Sequence, residues 1–209
     1  MNFMKHSDLE SKHAFLSPSK SAWVNYSPDK LAVAFKNSYA QQIGTILHEF
    51  AAKRIRYRMK MRKQDKDSVV FYLKDNGLPD CVIEPDKYYL NLMSYVNDSI
   101  GYRMTPEQVL YYSEHCFGTA DAISIRNGLL RIHDLKTGVT PVSMTQLELY
   151  TALFFLEYPE YRIDDIKVEC RIYKSEDVLT YEPTPDSIAE LMKKIVSYDE
   201  QIRNIIVEG

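Results

Sequence analysis

Apolar residues along the chain recur with two periods, three to four positions in some segments and two in others. These periods predict its helices and strands. Ile43, Ile46/Leu47, Phe50/Ala51, Ile55 and Met59 form a stripe at helical spacing, which predicts a helix from about Ser38 to about Arg62. Gly44 lies inside that stripe and weakens an isolated helix, so tertiary packing must hold it. Upstream, Ser17-Pro18 reads as a helix start leading into Ala22-Trp23-Val24, with serine at the N-cap and proline at N1. Val69–Leu73 reads as a short strand between turns at Asp65–Asp67 and Asn76-Gly77-Leu78-Pro79, and Pro85 to about Ser99 as a helix.

Three strands follow, Gln108–Glu114, Gly118–Ile125 and Leu129–Lys136. Asn127-Gly128 joins the last two and is the strongest short hairpin signal a sequence offers. Ser143–Leu156 is expected to be helical, Ile166–Tyr173 an alternating strand and Val178–Glu182 a short one. A last helix is expected after Pro185, with Ile188, Leu191, Met192, Ile195, Val196, Ile202 and Ile206 on its apolar face. Residues 1–16 read as loosely ordered. This order predicts an α/β fold, a central mixed sheet flanked by helices, in one domain over residues 1–209.

Composition narrows the class. With 45% hydrophobic and 26% charged residues the chain can bury a core. A formal net charge of -3 speaks against a generally basic nucleic-acid coat, but leaves room for a local basic groove. Cys81, Cys116 and Cys170 are odd in number and far apart, which suits buried thiols in a reducing compartment rather than a disulfide framework. They are also too few for the four thiolates an iron–sulfur cluster normally takes, so none is expected. The opening MNFMKHSDLESKH is too polar for a signal peptide, and no run approaches the ~20 apolar residues of a membrane span. A cytoplasmic protein is expected.

The predicted hairpin carries the chemistry. Asp134 and Lys136 share one face of their strand and Leu135 and His133 the other, which makes His133 structural. Across the Asn127-Gly128 turn, Asp121 can lie beside Asp134, although spacing alone does not fix the register. Two carboxylates brought together repel unless one is protonated or a cation bridges them. Oxygen donors favour Mg²⁺ or Mn²⁺. Lys136 is then placed to orient a bound water or neutralise developing charge. Taken alone, the same residues would suit an ordinary salt-bridged surface hairpin.

The wider pattern resembles the PD-(D/E)XK nuclease superfamily. Gly118-Thr119-Ala120-Asp121, Asp134-Leu135-Lys136-Thr137-Gly138 and Gln146-x-x-x-Tyr150 match its order. Gly44-Thr45-Ile46-Leu47-His48 resembles the Gly-Thr-x-x-His signature of its RecB-like branch, which includes phage and recombination exonucleases. The resemblance spans about residues 40–155. It implies a restriction-endonuclease-like core and a Mg²⁺- or Mn²⁺-dependent DNA exonuclease, phage-encoded and acting in the host cytoplasm. A single-strand-annealing or other recombination protein is the implied partner beside DNA. His48, Asp121, Asp134 and the Leu135 backbone carbonyl would be metal ligands and Lys136 the catalytic lysine. Gln146 and Tyr150 would touch substrate or support the hairpin.

Two further expectations come from the residues themselves. Glu114, on the preceding strand, is a candidate carboxylate for a second metal, weighed against a solvated glutamate at a strand end. The block Lys53–Lys63 is a candidate phosphate-tracking ridge through Arg54, Arg58 and Arg62, weighed against a solvated helix face. A structure- or sequence-specific endonuclease and a non-catalytic DNA-binding adaptor remain the alternatives.

Overall fold

The structure, a computed structural model, describes residues 4–9, 14–138, 141–175 and 177–208. They fall into two compact units, residues 1–42 and 43–209. In the first, the expected helix start at Ser17-Pro18 opens a 3-10 segment, Pro18–Asn25, with the Trp23 indole donating to the Ser17 carbonyl at 3.0 Å. Helix α1, Pro28–Ser38, which the hydrophobic pattern did not reveal, is capped by Ser27, whose hydroxyl accepts from the Lys30 amide. The loose order expected of residues 1–16 falls partly on residues 1–3 and 10–13, outside the described residues; Ser7–Leu9 is a 3-10 turn.

Helix α2, Ala40–Arg56, buries Ile46, Leu47, Phe50, Ala51, Ala52 and Ile55 along the expected stripe. It ends six residues earlier than the periodicity predicts. Arg58 takes a left-handed conformation (φ 55), its amide bonds the Ile55 carbonyl, and the Met59 amide reaches back to Arg54 at 2.8 Å. This is the Schellman stop that glycine usually provides. Beyond it, Met61 is buried and its backbone is paired by the Asn97 side chain through two hydrogen bonds.

The segment expected as strand Val69–Leu73 is helical: α3 spans Lys66–Asp75 and buries only Val69 and Leu73, four residues apart. A short run of valines and aromatics has no period long enough to separate the two structures. Asn76-Gly77 is the C-terminal stop of this helix, with Gly77 at φ 83. Helix α4, Tyr89–Gly101, follows a 3-10 turn at Pro85–Lys87.

The remainder is a five-stranded mixed sheet in the order β1-β2-β3-β4-β5: Thr105–Ser113, Cys116–Arg126, Leu129–Leu135, Lys167–Lys174 and Asp177–Tyr181. Only β3 and β4 are parallel, joined through helix α5, Thr145–Glu157. Helix α6, Pro185–Glu208, closes the chain. The α/β prediction of a mixed sheet flanked by helices is met. Alternation along β3 sends Leu130 and Ile132 into a core shared with Leu147, Ala152, Phe154 and Ile188 from α5 and α6. The opposite face carries His133 and Leu135, with Tyr173 of β4 and Tyr95 of α4 edge to face at 5.5 Å. Among the described residues, no helix is long and apolar enough to cross a membrane. Cys170 is buried, but Cys116 is only half-buried and Cys81 is exposed, so the reading of all three as buried thiols holds for one.

Candidate metal centre

Asn127 (φ 51) and Gly128 (φ 72) form the tight turn their dipeptide predicts, and that turn fixes the register of the central hairpin. Ala122 pairs with His133 and Ile123 with Ile132, so the next step of the ladder brings Asp121 alongside Asp134. The Asp121 Oδ2 accepts the Leu135 amide at 2.8 Å and lies 3.4 Å from His48 Nδ1. The helix of the Gly44-Thr45 signature and the hairpin therefore meet at Asp121. Packing at Gly44 is tight, since a Cβ there would stand 3.2 Å from Thr137 Oγ1.

Asp134 is 3% exposed. Its Oδ1 accepts from Lys136 Nζ at 2.9 Å, while its Oδ2 is buried without a hydrogen-bond partner among the described residues. An ionised carboxylate oxygen left bare in a protein interior is costly unless a positive charge meets it. Burial and the neighbouring charge of Asp121 push the Asp134 carboxyl above its ordinary range, against the pull of Lys136. Burial alone would lower the His48 pKa, but the hydrogen bond and charge of Asp121, helped by Asp134 and Glu107, carry it upward. An imidazole and carboxylates gathered in this way are of the donor types that could hold a divalent ion.

Lys136 Nζ also donates to Gln146 Oε1 at 2.9 Å, and Gln146 Nε2 reaches the Tyr150 hydroxyl at 3.4 Å. The helical i, i+4 pair thus acts on the lysine, tethering it from α5. Tyr150 is pressed against Gly118, where a Cβ would come within 2.9 Å of its ring. The glycine of Gly118-Thr119-Ala120-Asp121 is there to admit the tyrosine. Asn91 of α4 donates to the Lys136 carbonyl at 3.3 Å, and the Lys136 amide bonds Tyr173 of β4, so the backbone of the lysine is fixed as well.

Two expected contributors lie elsewhere. Glu114 falls in the β1–β2 turn, 83% exposed and paired with His115 at 3.6 Å, so it brings no carboxylate to the hairpin acids. Arg54, Arg58 and Arg62 share no helical face, because α2 stops before Arg58. Arg54 packs over Phe50 and donates to Ser68, Arg58 occupies the helix stop, and the Arg62 amide caps the next turn through Asp65. The groove beside His48 is lined instead by Lys53 and Arg56, with Gly44, Thr45, Glu49, Ala52 and Glu107, around about 610 Å³. His133 is structural as expected, with Nδ1 3.2 Å from the Tyr173 hydroxyl. Burial and the charges of Arg171 and Arg131 push its pKa down to about 3.

Glu107 is the residue that sequence reasoning passed over. It lies between the Pro106–Ala122 and Gln108–Ala120 pairs, directly across β1 from Asp121. Donor atoms of His48, Glu107 and Asp121 all lie within 4.8 Å of one another, and Asp134 stands outside that group. Burial and the Asp121 charge raise its carboxyl, with His48 and Arg56 opposing. Counting back from the β1–β2 turn does not find it, because the register shifts between Tyr111 and Ser113 and only then sets Glu107 opposite Asp121. The expected strand also began at Gln108, which left Glu107 outside it.

A family model covers most of this architecture, matching residues 13–174 under the description "Protein of unknown function (DUF2800)". The chain belongs to this family. The match takes in His48, Glu107, Asp121, Asp134, Lys136, Gln146 and Tyr150, and ends at the last residue of β4. No curated protein and no solved structure matches the chain.

Proposed function

We propose that this DUF2800 protein is a divalent-metal-dependent deoxyribonuclease on a restriction-endonuclease-like core, an exonuclease in phage-type DNA recombination, repair or processing. The observation that carries the reading is the lysine: Lys136 Nζ is held between Asp134 and Gln146 beside the partnerless Asp134 oxygen. The resemblance of the motifs to the RecB-like branch points the same way.

His48, Asp121 and Asp134, with the Leu135 carbonyl, would hold Mg²⁺ or Mn²⁺. When bound there, the ion supplies a water of lowered pKa and neutralises charge on a phosphate oxygen. Asp121 is oriented for this by the Leu135 amide, which leaves it little freedom to turn away. Lys136 directs its ammonium at the oxygens where negative charge grows as the phosphodiester opens. Gln146 and Tyr150 keep that ammonium in place, and His48 offers its ring to the cation only while neutral.

Lys53 and Arg56 give the substrate strand a path, since they line the same groove as His48 and Glu107. Replacing both by alanine is expected to weaken DNA binding regardless of sequence. It should also flatten the dependence of log K on log salt by about 1.8 for duplex, at about 0.9 per phosphate contact. Fluorescence anisotropy with Ca²⁺ in place of Mg²⁺ reads both, and an unchanged slope removes the groove from the substrate path.

The activity itself is tested on linear duplex and covalently closed circular DNA with Mg²⁺, comparing the parent with Asp134→Ala. An exonuclease degrades the linear DNA, spares the circle and loses activity in the variant. Cutting of the circle makes the protein an endonuclease on the same core.

A further inference from the structure

We propose that the aromatic groove of the amino-terminal unit binds the unpaired bases of single-stranded DNA. The groove is formed wholly by residues 14–39, so it uses neither the hairpin acids nor a metal, and it goes beyond the nuclease reading.

The lining is rich in rings. Phe15, Trp23, Tyr26, Phe35 and Tyr39 surround about 550 Å³, with Lys20 among them. That volume lies in the range of pockets that hold small ligands. No residue of Pro18–Asn25 or of α1 is buried, so these rings do not close on a core and stay half-buried. Phe35 meets Phe15 and Tyr39 edge to face, each at 5.3 Å. Such a contact leaves both faces open on the ring that gives its edge. The Trp23 indole N–H already bonds the Ser17 carbonyl at 3.0 Å, so the ring is held in place and needs no polar partner from a ligand.

Charge decides the occupant. Within residues 1–42 five lysines stand against three acidic residues, a net +2 in a chain whose total is -3. Lys20 lines the groove, and Lys30 Nζ lies 4.5 Å from the centroid of the Tyr26 ring. Among the described residues no carboxylate lines it, and its aliphatic contribution is only Ala14 and Ala34. Rings beside ammonium groups are the combination that holds a single strand without regard to sequence, since bases stack on the rings and phosphates meet the cations. A duplex keeps its bases stacked on one another and offers such a groove only its phosphates.

Trp23 is the only tryptophan of the chain, so its emission reports on this groove directly. The full chain is titrated with a thymidine oligomer in EDTA, where no metal-dependent cleavage occurs, and with an abasic oligomer of the same length. The thymidine oligomer is expected to quench Trp23, and the abasic oligomer and a blunt duplex to leave its emission nearly unchanged. Phe15→Ala should weaken binding read from the quenching midpoint by roughly 5- to 150-fold, the loss of one stacked base. Lys20→Ala, at an exposed side chain, should flatten the dependence of log K on log salt by about 0.7, the share of one phosphate contact on a single strand. Emission unaffected by the thymidine oligomer, whether or not a proline-rich peptide quenches it, overturns the proposal, as does equal quenching by the abasic oligomer. Asp134→Ala is expected to keep the quenching while it loses cleavage, so the groove and the nuclease centre fail separately.

Discussion

Lys136→Ala is expected to slow DNA hydrolysis by about 100- to 1,000-fold, the loss typical of removing one preorganised electrostatic donor from a reacting centre. The ammonium is fixed at 2.9 Å from both Asp134 Oδ1 and Gln146 Oε1, and its backbone is anchored to β4 and α4. Little reorganisation is needed when charge develops on the phosphate. Arginine is not expected to rescue, because a planar guanidinium cannot occupy a point held by a tetrahedral ammonium between two acceptors. Single-turnover cleavage at saturating enzyme reads the chemical step. The loss should fall on kcat, with DNA affinity in Ca²⁺ little changed and the fold intact by circular dichroism. Cleavage by Lys136→Ala at the parental rate would return the lysine to an ordinary ion pair.

Mn²⁺ is expected to stabilise the protein strongly at alkaline pH and weakly at acid pH. Asp134, Glu107 and His48 all have pKa values raised by folding. A raised group favours folding most when protonated, so its contribution is complete below its unfolded value and disappears as pH climbs through its folded one. The carboxyls lose theirs above the usual carboxylate range and His48 above 6.5. A divalent cation replaces those protons, and its benefit grows over the same interval. At a hundred times its dissociation constant a ligand adds about 2.7 kcal/mol. For a chain of this size that is roughly 5–11 °C of melting temperature. Thermal unfolding with and without Mn²⁺ between pH 5 and 8 measures the difference, in which the opposing titration of buried His133 cancels. A Mn²⁺ increment independent of pH would mean the ion binds away from these three groups.

The hairpin was readable because its turn dipeptide is a strong local signal, while its register was left open by the sequence and is set by the observed pairing. The two-residue turn at Asn127-Gly128, with Ala122 paired to His133, brings Asp121 to Asp134 as one of the arrangements the sequence allowed. His48 was readable only through its motif, since a histidine beside an apolar stripe has no local mark of the partner it will meet. The failures have physical causes too. Val69–Leu73 is a helix because five residues of mixed valine and aromatic character do not define a period, and the burial of Val69 and Leu73 decides the matter. The basic ridge dissolved at Arg58, where an arginine accepts the left-handed step that a reader expects of glycine. Glu107 was missed because the expected strand began at Gln108, whereas β1 begins at Thr105. At Arg58 a non-glycine residue at positive φ redirects side chains that periodicity would send elsewhere.

A nuclease centre built on this hairpin needs Asp134 for Mg²⁺-dependent cleavage of DNA. The parent and Asp134→Ala, both confirmed as folded, are incubated with linear duplex DNA in Mg²⁺ and in EDTA, and released nucleotides are counted. Release by the parent in Mg²⁺ alone, and none by the variant, is the expected result. Equal release by the two proteins, or none by either, would rule out Asp134 as part of a DNA-cleaving centre.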